Sequence, residues 1–345
     1  MRPGLHRAYS FGWAASFYWS MWWYTACYCC VLCRVCDAHE ATGLLLAFSA
    51  LMVGLPSPGC DYTQATPAHH KALAMQNRIM ITGAGSGLGR EIALRWAREG
   101  WRLALSDIND AGLQETLALV REAGGDGFVQ RCDVRDYSQL TAFAQACEER
   151  FGGIDIIVNN AGVASGGFFN ELSLEDWDWQ IAINLMGVVK GCKAFLPMLQ
   201  ASKGKIVNIA SMAALMQAPA MSNYNVAKAG VVALSESLLV ELHDQGVDVH
   251  VVCPSFFQTN LLDSFRGPTP AMKAQIGRLL EKSPITAADI ADHIFRQIAE
   301  GEFMILPHEE GRMAWDMKRK QPQAMYDEMT VMCAKMRAKA QKGHA

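Results

Sequence analysis

The sequence has no surplus of positive charge: 31 lysines and arginines stand against 34 aspartates and glutamates, a formal net charge of −3. Nucleic-acid binding draws on clustered cations that displace counterions from phosphates, so no nucleic-acid partner is expected. It has no internal repeat, which excludes a solenoid or propeller, and no low-complexity tract. Downstream of residue 36 there is no paired CxxC motif either. The run Cys27, Cys29, Cys30, Cys33, Cys36 has no histidine partner downstream and no fourth cysteine followed by proline. No metal site is expected from it. Cys132, Cys147, Cys192, Cys253 and Cys333 are scattered, as reduced thiols of a cytosolic protein would be.

Charge itself is missing from Ala8 to Cys33, behind Arg2 and Arg7, and a second apolar stretch runs from Ala41 to Pro56. Trp13, Trp19, Trp22, Trp23 and six of the eleven cysteines fall before residue 61, so this end is compositionally distinct. Three readings compete. The length and flanks fit a membrane anchor, with membrane association only if the segment is genuine. A cleaved signal peptide is disfavoured because the apolar region exceeds the usual ~7–15 residues. The preferred reading is a non-native extension, with Met75 as initiator. The expected organisation is therefore an extension over 1–74, a catalytic domain over 75–310, and a polar helical segment over 311–345.

From Asn77 onward, short apolar runs alternate with amphipathic segments. Strand-like stretches at Arg78–Ile81, Arg102–Ser106, Phe128–Cys132, Ile154–Val158, Lys205–Ile209 and Val247–Cys253 alternate with helical ones. The helical stretches are Arg90–Glu99, Gly112–Ala123, Tyr137–Phe151, Leu174–Leu196 and Asn223–His243. This alternation predicts an α/β fold, a single doubly wound parallel sheet of Rossmann type with six or seven strands, Phe303–Leu306 supplying the last. Near-continuous apolar strands are what a sheet covered on both faces requires. Phe256–Ser283, with Gly267, Pro268 and Pro270, breaks the alternation and is expected to cover a substrate.

The first strand runs into Thr82-Gly83-Ala84-Gly85-Ser86-Gly87-Leu88-Gly89. Positions without side chains let the backbone turn tightly and approach a pyrophosphate at a helix N-terminus. The TGxxxGxG spacing resembles the short-chain dehydrogenase/reductase family. Further matches lie at later strand ends: Asp133-Val134 is similar to the family's adenine-contacting segment, and Asn159-Asn160-Ala161-Gly162 to its NNAG motif. Asp107, twenty residues past Gly87, can accept hydrogen bonds from the adenosine ribose. That favours NAD over NADP, with Arg90 as the cation that could favour NADP instead.

Tyr224 and Lys228, four apart on a helix, share one face. Ser211 precedes Tyr224 by thirteen residues at a strand end, and Asn184 lies in the fourth helix. This set resembles the family's catalytic tetrad. The resemblance implies an oxidoreductase that moves a hydride between NAD(H) and an alcohol/carbonyl pair, with Tyr224 as general acid/base. Ser211 would hold the substrate oxygen, and Asn184 would support a water chain to Lys228. Lys228 would also bind the nicotinamide ribose and, as an ammonium, help lower the Tyr224 pKa. Pro254-Ser255-Phe256-Phe257-Gln258-Thr259 resembles the PGxxxT segment, with Thr259 on the nicotinamide amide; Ser255 replaces the usual glycine and Ala210 a frequent serine. The resemblance covers Arg78 to Leu306. It also implies a homodimer or homotetramer in the cytoplasm.

Phe168, Phe169, Met212, Met216, Met221, Phe256, Phe257 and Leu261 are expected to form an apolar substrate pocket. A cofactor-sensing binding protein on the same fold is the rival from another class. Membrane-anchored reduction of lipid-derived substrates is a third reading, resting on Ala8–Cys33.

Overall fold

The structure is a computed structural model that describes residues 77–342, except 260, 262, 263 and 269. The apolar segments at Ala8–Cys33 and Ala41–Pro56 and the cysteine run Cys27–Cys36 lie outside the described residues.

The apolar runs form seven strands: β1 (Arg78–Thr82), β2 (Arg102–Asp107), β3 (Asp126–Arg131), β4 (Ile156–Asn159), β5 (Lys205–Ile209), β6 (Asp248–Val252) and β7 (Met304–Ile305). They make one sheet in the order β3-β2-β1-β4-β5-β6-β7. Every pairing is parallel. The order reverses between β1 and β4, and at such a switch point an open α/β sheet presents its ligand crevice.

Between the strands lie α1 (Gly87–Ala97), α2 (Asp110–Glu122), α3 (Tyr137–Phe151), α4 (Leu174–Asn184), α5 (Met186–Ser202), α6 (Met212–Met216) and α7 (Ser222–Glu241). After β6 come α8 (Pro270–Glu281) and α9 (Ala287–Glu300), and after β7 come α10 (Glu309–Lys320) and α11 (Pro322–Lys342). The strand side chains alternate between two cores. Ile79, Ile81, Leu103 and Leu105 pack with α1, α2 and α9. Met80, Ala104, Ile157 and Val249 pack on the other face with α3, α5 and α7.

The helix expected over Leu174–Leu196 is two helices, broken at Leu185 (φ −115°, ψ −59°). At the break, the Asn184 side chain bonds both polar groups of the Val163 backbone at 2.8 Å. A Cβ on Gly187 would come within 2.8 Å of Val134, so only glycine lets α5 approach this closely. The chain then stays helical past Pro197 to Ser202 because Phe195 and Leu199 are fully buried. By length and composition alone Leu174–Ser202 could cross a membrane; in the fold it is this broken pair of helices. The expected cover over Phe256–Ser283 contains α8, and Arg266 bridges back to Ser165 in the loop after β4.

Candidate active site

At the carboxyl end of β1 the chain turns with Gly83 at φ +66° and Gly87 at φ +53°, a region that favours glycine. A Cβ on Gly89 would stand 2.2 Å from the Gly83 carbonyl oxygen, and one on Gly83 2.7 Å from Ala161 Cα. Thr82 Oγ1 accepts from the amides of Asn160 and Ala161, each at 3.0 Å. Asn160 Nδ2 donates back to the carbonyls of Thr82 (2.9 Å) and Gly83 (3.1 Å). Asn160 therefore staples the glycine turn to the end of β4. Ser86 stands at the N-cap of α1 but makes no side-chain capping bond, and the first turn, with Leu88 and Gly89 buried in it, carries no acidic residue. That end of α1 offers amides and a positive dipole to an anion. The cradle fits a pyrophosphate: backbone donors are available and the glycines keep side chains out.

Asp107, at the end of β2, accepts from Gly85 N (2.9 Å) through one oxygen and from Asn109 N (3.0 Å) through the other. It thus fixes the glycine turn as well as placing a carboxylate beside it. Arg90, the cation nearest for a phosphate there, is already engaged. It donates to the Gly85 carbonyl (2.7 Å), Thr116 Oγ1 (3.0 Å) and Glu115 (2.6 Å), and this pairing holds the Glu115 carboxyl below its ordinary value. Asp133 is forked by Arg135 (Nη2 to Oδ2, 2.6 Å), which likewise keeps its carboxyl low. Val134 beside it is buried.

Four polar side chains meet beyond the ends of β4 and β5. Tyr224 and Lys228, on the buried face of α7, are 8% and 4% exposed. Lys228 Nζ donates to the Ile209 carbonyl at 2.8 Å and lies 5.9 Å from the centre of the Tyr224 ring. A Cβ placed on Gly162 would be 3.3 Å from Asn184 Oδ1 and 3.7 Å from Lys228 Nζ, so these two groups flank the same glycine. Ser211 caps α6, its hydroxyl accepting from Ala213 N (3.1 Å) and facing the Pro254 carbonyl at 3.5 Å.

Burial raises the Tyr224 pKa, and the hydrogen-bonding Ser211 hydroxyl opposes that rise. Burial also lowers the Lys228 ammonium to about 8. The expectation that Lys228 draws Tyr224 down is thus not met by the protein's own charges. The ammonium points at the Ile209 carbonyl, and desolvation is the larger effect.

The expected apolar pocket divides. Phe168 and Met212 are buried, and Met216 and Phe257 pack against the cores. Phe169 and Phe256 stay exposed, at 73% and 39%. Thr259 is half-buried in the segment after β6.

Sequence reading missed His308, 1% exposed between β7 and α10. Its Nδ1 accepts from Ser255 N and its Nε2 donates to the Phe256 carbonyl, both at 3.2 Å. It also missed Arg78 and Asp155, a buried ion pair at 2.9 Å that ties β1 to the start of β4.

A glycine turn at the switch point of a parallel sheet, with a buried Tyr/Lys/Ser/Asn cluster beyond β4 and β5, is the arrangement of the Rossmann class. The short chain dehydrogenase family matches residues 77–268, and the chain belongs to that family. It is 40% identical over 186 residues to the probable oxidoreductase EphD of Mycobacterium tuberculosis, covering 53% of this chain but only 31% of that protein's length. It is 32% identical to the CLA biosynthesis dehydrogenase/reductase of Lactiplantibacillus plantarum, over 67% of this chain and 88% of the relative. A short chain dehydrogenase/reductase from Burkholderia phymatum, solved in complex with NAD, superposes with a TM-score of 0.69 at 34% identity, covering 72% of this chain and 95% of that one.

Proposed function

We propose that the chain interconverts an alcohol and a carbonyl with NAD(H), using Tyr224 as the proton-transfer residue. The observation that carries this reading is the convergence of Asn184 and Lys228 on Gly162, with Tyr224 and Ser211 alongside. Thr82, Gly83, Ser86, Gly87, Leu88 and Gly89 would hold the pyrophosphate. Asp107 would take the adenosine ribose, and Asp133 and Val134 the adenine side. Asn160, Ala161, Gly162, Pro254 and Thr259 would line the nicotinamide end. When bound, the nicotinamide ring supplies or accepts the hydride and, when oxidised, contributes a positive charge to the site.

The chain's own groups handle the proton and the orientation. Ser211 donates to the substrate oxygen, and Tyr224 gives its hydroxyl proton in carbonyl reduction or receives one in alcohol oxidation. Lys228, lowered to about 8 by burial, donates to the nicotinamide ribose. Asn184 holds the Val163 backbone and lies beside Lys228, where it can relay the proton through water.

Preference for NAD over NADP is supported by Asp107 and by the engagement of Arg90 with Glu115. A hydrophobic substrate is supported by Phe169 and Phe256, which keep apolar surface in the loops after β4 and β6. A homodimer or homotetramer is supported by the exposure of Met186 on α5 and of Val226 and Val240 on α7; light scattering that returns a monomer overturns it. A cytoplasmic location is supported by five free cysteines among the described residues. We take residues 75–310 as the catalytic domain and 311–345 as its helical C-terminal segment.

Tyr224→Phe tests the reading. It should cut turnover by about 10²–10⁴, the range general acid–base catalysis supplies, while NADH binding stays within about twofold. Turnover retained at the wild-type rate would overturn the assignment.

A further inference from the structure

Strands β6 and β7 pair in parallel with Val252 opposite Ile305. The ladder donates from Val251 N to the Phe303 carbonyl (2.8 Å) and from Cys253 N to the Ile305 carbonyl (2.9 Å). The next donor on the β7 side would be the N–H of residue 307, and Pro307 has none. The sheet therefore stops as the chain enters Pro254–Thr259. His308 takes over at the same register: the offset of 53 residues between Val252 and Ile305 is also that between Ser255 and His308. Its imidazole accepts the Ser255 amide and donates to the Phe256 carbonyl. Two bonds in this sense require the neutral ring with the proton on Nε2.

These bonds act next to the chemistry. Pro254, one residue before Ser255, accepts from Met212 N at 2.8 Å and faces the Ser211 hydroxyl at 3.5 Å. The same segment after β7 also packs against α6, the helix that Ser211 caps. A Cβ on Gly311 would be 3.1 Å from Met212 Sδ, and Lys318 hydrogen-bonds Leu215 O and Gln217 Oε1 at the far end of α6. His308 is thus the one side chain among the described residues that carries the β6–β7 register into the turn bordering Ser211.

We propose that His308 is a positioning residue for the nicotinamide end of the cofactor, setting the backbone of Ser255–Thr259 through its two main-chain hydrogen bonds. The inference rests on the cofactor assignment proposed above. It concerns only the nicotinamide half: the adenosine side is built from β1, β2 and β3, across the sheet from His308.

The full-length chain is titrated calorimetrically with NADH and with ADP-ribose, which lacks the nicotinamide, for wild type, His308→Phe and His308→Gln. Loss of two main-chain bonds in His308→Phe should weaken NADH about tenfold and leave ADP-ribose within about twofold. His308→Gln offers one acceptor and one donor and should recover most of the NADH affinity. If His308→Phe does not fold, His308→Asn, too short to reach both partners, carries the same comparison. Unchanged NADH affinity overturns the proposal, as does equal weakening of NADH and ADP-ribose. Failure of the wild type to bind either ligand overturns the cofactor assignment itself, and is told apart because it needs no variant.

Discussion

Asp107 does two jobs with two oxygens, and the choice of substitution decides which one an experiment reads. One oxygen fixes the Gly85 amide and the other the Asn109 amide; the negative charge is what would repel a 2′-phosphate. Asp107→Ala removes both the charge and the ties to the turn, so weakened binding of every nucleotide would say little about discrimination. Asp107→Asn removes the charge and keeps an acceptor for Gly85. In fluorescence titrations its preference for NADH over NADPH should fall by about tenfold, equivalent to ~1.4 kcal/mol, with NADH affinity nearly kept. Arg90 cannot easily compensate, since Glu115, Thr116 and the Gly85 carbonyl already hold its guanidinium. An unchanged ratio, or wild-type preference for NADPH, would remove Asp107 as the discriminating group.

Elements that follow one period along the chain were readable before the structure was known. The strands β1, β2, β4, β5 and β6 carry apolar runs, β3 only Phe128 and Val129 among polar residues, and the glycine turn and the YxxxK helix carry their own spacing. What could not be read depends on contacts between distant segments. The break at Leu185 comes from Asn184 closing on Val163, 21 residues away, while the apolar pattern runs on unbroken. His308 resembles any histidine after a proline until the β6–β7 register sets it opposite Ser255. The raised Tyr224 pKa follows from burial, which the i, i+4 spacing does not report. The turn between β1 and α1 shows the same coupling at the scale of an element, because Gly89 lies on the helix but its missing Cβ makes room for Gly83 and Asn160. A Gly89→Ala methyl would sit 2.2 Å from the Gly83 oxygen and 2.6 Å from Asn160 Nδ2. The turn must shift to admit it, at a cost of about 1–3 kcal/mol in the manner of an overpacked core. NADH binding should be lost while circular dichroism still reports the folded sheet. Undiminished binding would mean the turn is not the pyrophosphate cradle.

At the scale of the whole molecule, folding stability should depend on pH in a direction set by buried bases. His250 and His308 are each 1% exposed, and burial, the main cause in both, holds them below the ordinary imidazole value. His293 is lowered by burial and then by Arg296 and Arg312. For His308, Glu310 pulls upward and Arg312 downward, but desolvation outweighs both. His250 donates from Nδ1 to the Glu302 carbonyl at 2.7 Å, while its Nε2 has no hydrogen-bond partner among the described residues. The unfolded chain therefore binds protons that the native state refuses. The histidines' contribution is fully present above an unfolded pKa of about 6.5 and is lost as pH falls through their depressed native values. The carboxylates held low, such as Asp133 and Asp289, act the same way only near pH 4 and below, so between about pH 6.5 and 5 the histidines set the slope. The unfolding free energy from urea titration should fall across that window, by no more than ~1.4 kcal/mol per pH unit for each histidine still neutral in the native state. Lys228 shapes the alkaline side. Lowered to about 8, it sheds its proton in the native state before the unfolded chain does and so adds a rise in stability from about 8 upward, which the buried thiols of Cys132, Cys147, Cys192 and Cys253 and then Tyr224, all pushed up by burial, oppose above about 8.5. Lys228→Met should abolish that rise and leave the acid fall untouched. A variant that keeps the rise would show that Lys228 is not buried as a strained cation.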